Sequence, residues 1–192
     1  MFNSTIEIKW KEFIVRQWEL IISSFKFDKE AIKELWQNLN KHMSLKSIAL
    51  RNVNLNDELF SILLDKLLLL QSLEKIDFSF NYLKLDNFGK FFNYIWWLKN
   101  LSCINLSYNN LTSNSISMLA NSILQIKTLE YLNLYENEFN EESLTKLINS
   151  LIAQKNVKIL NISLWHYWIS VIPIIEKLFE HLPSIKLNYR IW

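Results

Sequence analysis

The chain has 192 residues, half of them hydrophobic and 21% charged, with one glycine, two prolines and a net charge of +2. That length suits one domain with a sizeable core. The scarcity of glycine and proline excludes a turn-rich β fold and flexible linkers, and the balanced charge gives no bulk attraction to nucleic acid or anionic membrane. A single cysteine, Cys103, excludes an intramolecular disulfide and suits a reducing, cytoplasmic compartment.

Residues 1–16 lack the apolar segment of a secretory signal and fit no repeat column, so they are expected to form an N-terminal cap. Residues 17–44 form a degenerate first unit, in which Ile32, Leu35, Trp36 and Leu39 mark one helical face. Trp10, Trp18 and Trp36 are expected to close this end.

Residues 45–156 are four regular units. Leu45, Leu73, Leu101, Leu129 and, in the following unit, Val157 are each 28 residues apart. Each opens the pattern L-x-x-L-x-L-x-x-N-x-L, closed by Leu55, Leu83, Leu111, Phe139 and Tyr167. Asn81, Asn109 and Asn137 hold the asparagine site, where the side chain should satisfy loop backbone groups; Phe25, Val53 and Trp165 replace it in the outer units.

The second half of each unit changes period. Phe60, Leu63, Leu64 and Leu67 line one face of a helix. The same face recurs as Phe88, Phe91, Phe92 and Ile95, then Ile116, Leu119, Ala120 and Ile123, then Leu144, Leu147, Ile148 and Leu151. Asp28, Asn56, Thr112 and Asn140 stand where helices should begin and are good N-caps. The most apolar stretch, FSILLDKLLLL, is interrupted by Asp65 and Lys66 and is too short to cross a bilayer. Residues 157–184 are an atypical unit whose helical face, Ile172, Ile175 and Phe179, is broken by Glu176. Residues 185–192 alternate Ile185, Leu187, Tyr189 and Ile191 and read as a closing strand displaced by one residue.

Each unit is thus a strand followed by a helix, and only stacked neighbours bury its apolar side. The expected class is α/β, a leucine-rich-repeat solenoid forming a right-handed horseshoe segment, with a parallel concave sheet and convex helices. The repeat resembles the ribonuclease-inhibitor class of leucine-rich-repeat proteins over residues 17–183, a resemblance that implies a curved inner face suited to binding proteins. The size and the Asn-, Lys- and Ile-rich composition are also similar to small leucine-rich-repeat effectors of Legionella and other intracellular bacteria, which implies delivery into a host cytosol.

Strand residues between the core positions should line the concavity in four columns. Arg51, Lys75, Asp77 and Glu136 supply charge, while Phe80, Tyr108, Tyr131 and Tyr135 form an aromatic patch that either anchors a partner or stacks across the sheet. Asn105 and Asn133 share a row with Asn161, its amides bonded to each other or to a ligand, and His166, Trp168 and Arg190 extend the rim. Trp97 marks a convex contact, with Trp96 beside the core residue Ile95.

Catalytic chemistry finds no support in this pattern. Cys103 has no histidine in its own or neighbouring columns; His42, His166 and His181 lie in different units; and Gly89 belongs to no phosphate loop. No enzyme activity, cofactor, metal, nucleic acid, membrane insertion or homo-oligomer is expected. The expected function is binding of one specific protein, an enzyme silenced by steric cover or another effector. The alternatives are a GTPase-activating protein, for which Arg51 is the only strand arginine of the regular units, and a structural assembly subunit.

Overall fold

The computed structural model describes residues 4–86, 89–138, 140–164 and 168–191, the side chains of 168, 169, 190 and 191 excepted. Its nine strands form one sheet in chain order. They are β1 (Ser4–Ile8), β2 (Lys11–Arg16), β3 (Glu19–Ser23), β4 (Ser47–Arg51), β5 (Lys75–Asp77), β6 (Cys103–Asn105), β7 (Tyr131–Asn133), β8 (Ile159–Leu164) and β9 (Lys186–Ile191). The helices are α1 (Lys29–Asn38), α2 (Asp57–Leu69), α3 (Gly89–Tyr94), α4 (Ser113–Ile123), α5 (Glu141–Gln154) and α6 (Trp168–His181).

The N-terminal segment is a β-hairpin: β1 pairs antiparallel with β2, and β2 with β3. The second of these turns needs left-handed backbone at both central residues, and Gln17 (φ 48) and Trp18 (φ 70) supply it without glycine. The hairpin buries Ile6, Ile8, Phe13 and Val15, and Phe13 continues edge-on into Phe25 and Phe27. These aliphatic and phenyl side chains close the end. The expected tryptophans do not: Trp10 at the hairpin tip is 86% exposed and Trp18 is 55% exposed, both in turns between strands. Trp36 is half-buried, with the Lys66 ammonium 4.5 Å from its ring centre. Lys66 itself is buried and also donates to Asn40 Oδ1, so the charge in the apolar run is accommodated between two repeats.

From β3 to β8 every pairing is parallel and in register at the 28-residue offset, as in Ile48↔Ile76, Ile104↔Leu132 and Leu132↔Leu160. These residues and their helical counterparts form one continuous core. All four expected N-caps are made: Asp28 accepts from Ala31 N–H, Asn56 from Leu59, Thr112 from Asn114 and Asn140 from Ser143. Each satisfies a donor that the helix cannot.

The motif asparagines reach backward as well as down. Asn81 donates to the carbonyls of Leu50, Phe78 and Ser79, and its Oδ1 accepts from Val53 and Leu55 of the preceding unit. Asn109 and Asn137 repeat the arrangement with Leu83 and Leu111. Ion pairs Lys29–Glu58, Lys46–Glu74, Lys90–Asp65 and Lys158–Glu130 tie neighbouring coils at the surface.

The one-residue displacement begins earlier than β9. β8 pairs with β9 at an offset of 27, as in Ile159↔Lys186. Helix α6 already carries the slip: Val171 and Leu178 are buried, whereas the expected Ile172 and Phe179 are 37% and 41% exposed. The displacement is therefore shared by α6 and β9; residues 165–167 lie outside the described residues.

Candidate functional site

The first column runs Ser47, Lys75, Cys103, Tyr131 and Ile159 across adjacent strands, and the second runs Ala49, Asp77, Asn105, Asn133, Asn161 and Asn188. Parallel strands about 4.8 Å apart bring these side chains into lateral contact. Three features differ from the expected lining. Ala49 is buried, and so are the third-column serines Ser79, Ser107 and Ser163. The second-column side chains turn back on their own strands. Asp77 Oδ1 accepts from the N–H and hydroxyl of Ser79, Asn105 Oδ1 from those of Ser107, and Asn133 Oδ1 from Tyr135 N–H. Such side-chain turns satisfy the strand ends locally, so Asn105 and Asn133 are engaged within their own repeats. Asn161 instead bonds across strands, donating to Tyr131 Oη at 2.9 Å and accepting from Asn188 at 2.7 Å.

The charged residues are similarly committed. Arg51 Nε lies 2.8 Å from Asp77 Oδ2, with the Asp77 side chain only 15% exposed. Lys75 is exposed beside them. Cys103 is half-buried, and burial first, then the Asp77 charge, pushes its thiol above the ordinary range. That is the opposite of an activated nucleophile.

The fourth column, at the strand exits, holds the feature that sequence reasoning missed. Ser24 (φ 56), Asn52 (φ 51), Phe80 (φ 58), Tyr108 (φ 53) and Glu136 (φ 54) all adopt left-handed backbone. The exit turns of these five units take that conformation, whereas Leu164, the column's last member, continues β8; glycine, the signal that normally marks such a turn, is absent from all five positions. Bulky residues pay for it in strain. Phe80 is 51% and Tyr108 41% exposed. Their rings stack at 4.2 Å and 9°, and Tyr108 meets Tyr135 edge-on at 5.6 Å. Tyr135 and Tyr131 are half-buried, so the exposed aromatic surface lies toward the exit rim and less on the sheet floor than expected.

Glu136 differs from its expected role as a free orienting charge. Its N–H donates to Ser163 Oγ at 2.8 Å, and its Oε1 is buried without a hydrogen-bond partner. Of the remaining expected rim residues, His166 lies outside the described residues. Trp168 opens α6 and Arg190 lies in β9, their side chains outside the description.

Two surfaces lie away from the sheet face. Tyr94, Trp96 and Trp97 cluster on the helical side, with Trp97 4.7 Å from Tyr94 and 5.8 Å from Trp96, all more than a third exposed. A polar trough of about 700 Å³ at the leading ends of the strands is lined by Glu74, Ser102, Lys127, Glu130, Lys155 and Lys158 among others. Among the described residues, no group of three or more His, Cys, Asp or Glu could hold a metal ion, and no helix is long and apolar enough to cross a membrane.

No family model matches the chain, and no curated protein matches it. Among solved structures it is similar to the tropomodulin C-terminal domain of Caenorhabditis elegans, with a TM-score of 0.59 and 14% identity over 71% of this chain and 83% of that one. It is also similar to an internalin of Listeria monocytogenes, with a TM-score of 0.51 and 14% identity over 91% of this chain; the chain spans 42% of that internalin.

Proposed function

Given a leucine-rich-repeat solenoid as the fold, we propose that the chain is a non-enzymatic protein-interaction module that holds one specific protein on its sheet face and exit rim. One observation carries this reading. Phe80 and Tyr108 keep large exposed rings on left-handed backbone, where smaller residues cost less. Strain retained at a surface position is explained when the side chain is used, and stacked aromatics bury much area for few rotors. The 28-residue period resembles that of ribonuclease-inhibitor-like proteins, and this resemblance supports the finer reading of steric cover over a partner enzyme. The composition supports an effector role in a host cytosol.

Affinity capture from native and host lysates, followed by calorimetry, tests the reading. Tyr108→Ala with Tyr135→Ala should weaken the captured complex by at least ~2 kcal/mol at a nearly unchanged melting temperature. Unaltered affinity removes the exit rim from the interface. The GTPase-activating alternative loses its main residue, because Arg51 is held by Asp77. Assembly through the helical side is favoured by one observation, the exposed Tyr94–Trp96–Trp97 cluster; light scattering of a clean monomer disfavours it.

A further inference from the structure

We propose that the solenoid edge carrying Trp96, Trp97, Lys99, Lys127 and Lys155 docks on an anionic lipid bilayer, the rings entering the interface and the ammonium groups meeting the headgroups. This surface lies on the helical side, and the inference stands apart from the sheet-face reading.

The rings are the starting point. Tyr94, Trp96 and Trp97 are all exposed, and Trp97 touches the other two. Leu69, 28 residues before Trp97 and so at the same place on the preceding coil, is 54% exposed. A contiguous apolar patch in water marks a surface that is covered in use. Trp96 uses its only polar hydrogen inside the chain, donating Nε1–H to the Asn93 carbonyl at 2.5 Å. Its ring can therefore leave water without losing a hydrogen bond, and it offers a protein partner no donor for directional recognition. Tryptophan and tyrosine are also the side chains that settle at membrane–water interfaces.

Beside the rings runs a line of cations. Lys99, Lys127 and Lys155 are 28 residues apart, so they hold one place on three successive coils, and all are exposed. Lys99 and Lys127 line a hollow of about 350 Å³ together with Trp96, and Lys127 and Lys155 share the polar trough. The two preceding coils carry Met43 and Gln71 at this place, so none of the five carries an acid there. Unlike Lys29, Lys46, Lys90 and Lys158, none of the three lysines is ion-paired among the described residues. The trough's carboxylates, Glu74 and Glu130, are already held by Lys46 and Lys158. Lys127 gives one of its three N–H groups to the Leu124 carbonyl at the end of α4 and keeps its charge. Like charges at regular steps, next to interfacial aromatics, complement a flat layer of dense negative charge, which anionic headgroups present. The whole-chain charge of +2 conceals this row, because the balancing acids lie elsewhere.

The test sediments the full chain with phosphatidylcholine vesicles, with and without about one-third phosphatidylserine. Binding should require phosphatidylserine and weaken as salt is raised. Brominated acyl chains should quench part of the tryptophan emission, and Trp96→Ala with Trp97→Ala should remove that quenching. Lys99→Glu with Lys127→Glu keeps the rings and alters only exposed side chains, so it serves even if the ring variant unfolds; it should weaken binding by about tenfold or more. No binding, equal binding to vesicles without phosphatidylserine, or binding indifferent to the lysine variant overturns the proposal. Quenching that survives loss of both tryptophans overturns it as well. Lipid-free self-association abolished by the ring variant would assign the patch to a second copy. A protein captured through these rings by a chain that ignores vesicles would assign it to a protein partner, and either result overturns the lipid assignment.

Discussion

Asn81 Oδ1 accepts a hydrogen bond from the backbone N–H of Val53 at 3.1 Å, across a separation of 28 residues. The bond explains why Val53 can stand at an asparagine site. The loops of three coils are satisfied in part by the next coil's asparagine, so the first regular unit borrows its acceptor from the second. Asn81→Ala leaves the N–H groups of Val53 and Leu55 buried without acceptors, and three carbonyls lose a donor. The expected loss is about 3 kcal/mol, read from urea denaturation. A loss below about 1 kcal/mol would mean that the loop backbone finds other partners.

The strand-exit column should reverse the usual order of small substitutions. Alanine normally exceeds glycine in stability, but Phe80 sits at φ 58. Phe80→Gly and Phe80→Ala both lose the ring stacked on Tyr108, and they differ only in backbone. Glycine should be the more stable variant by about 1 kcal/mol. Thermal unfolding of the two variants side by side decides it, and alanine equal to or above glycine refutes the strained backbone.

Acid should loosen the N-terminal hairpin in two steps. Burial, aided by Lys41, holds His42 below its ordinary value of 6.5. The unfolded chain therefore binds a proton that the folded chain resists, so this contribution is complete above pH 6.5 and is lost as pH falls toward the folded value. Asp28 is held below 3.8 by the Ala31 N–H first and then by the Lys9 ammonium, and its contribution goes only in stronger acid. Hydrogen exchange of β1 and β2 should rise in the first step, and His42→Gln should remove that step alone. A profile unchanged by His42→Gln would assign the loosening elsewhere.

Cys103 should alkylate slowly. Its thiol is raised by burial and by Asp77, with Lys75 and Arg51 opposing. Under mildly alkaline conditions iodoacetamide should modify it more slowly than free cysteine. Asp77→Asn should speed the reaction, since it removes the anion and releases Arg51. Rates equal to free cysteine in the native chain would contradict the half-buried placement.

The repeat wrote most of this architecture plainly. Leucine columns, helix faces, N-caps and motif asparagines all follow from one period, because buried positions and capping acceptors recur with the backbone that needs them. The terminal slip was harder to read. In VIPIIEKLF, apolar residues occupy both the 27- and 28-residue registers, and only Glu176 marks the difference: in the shifted register it matches exposed Asn149. The exit rim was half legible. Its aromatic residues stood in the pattern, but left-handed backbone leaves no trace when glycine is missing, and small serines that fold under the sheet edge look like any polar lining.

Helix α3 is described over six residues, Gly89–Tyr94, between a 13-residue α2 and an 11-residue α4. In an array where each coil adheres only to its neighbours, cohesion is set junction by junction. Here α3 gives way directly to a 3-10 turn, Ile95–Trp97, whose hydrogen bonds are poorer than those of an α-helix, so tension applied at the termini should part the molecule at this coil first. Two fragments would result, one retaining the hairpin and the other the displaced final coil, each ready to serve as the seed on which the other re-forms.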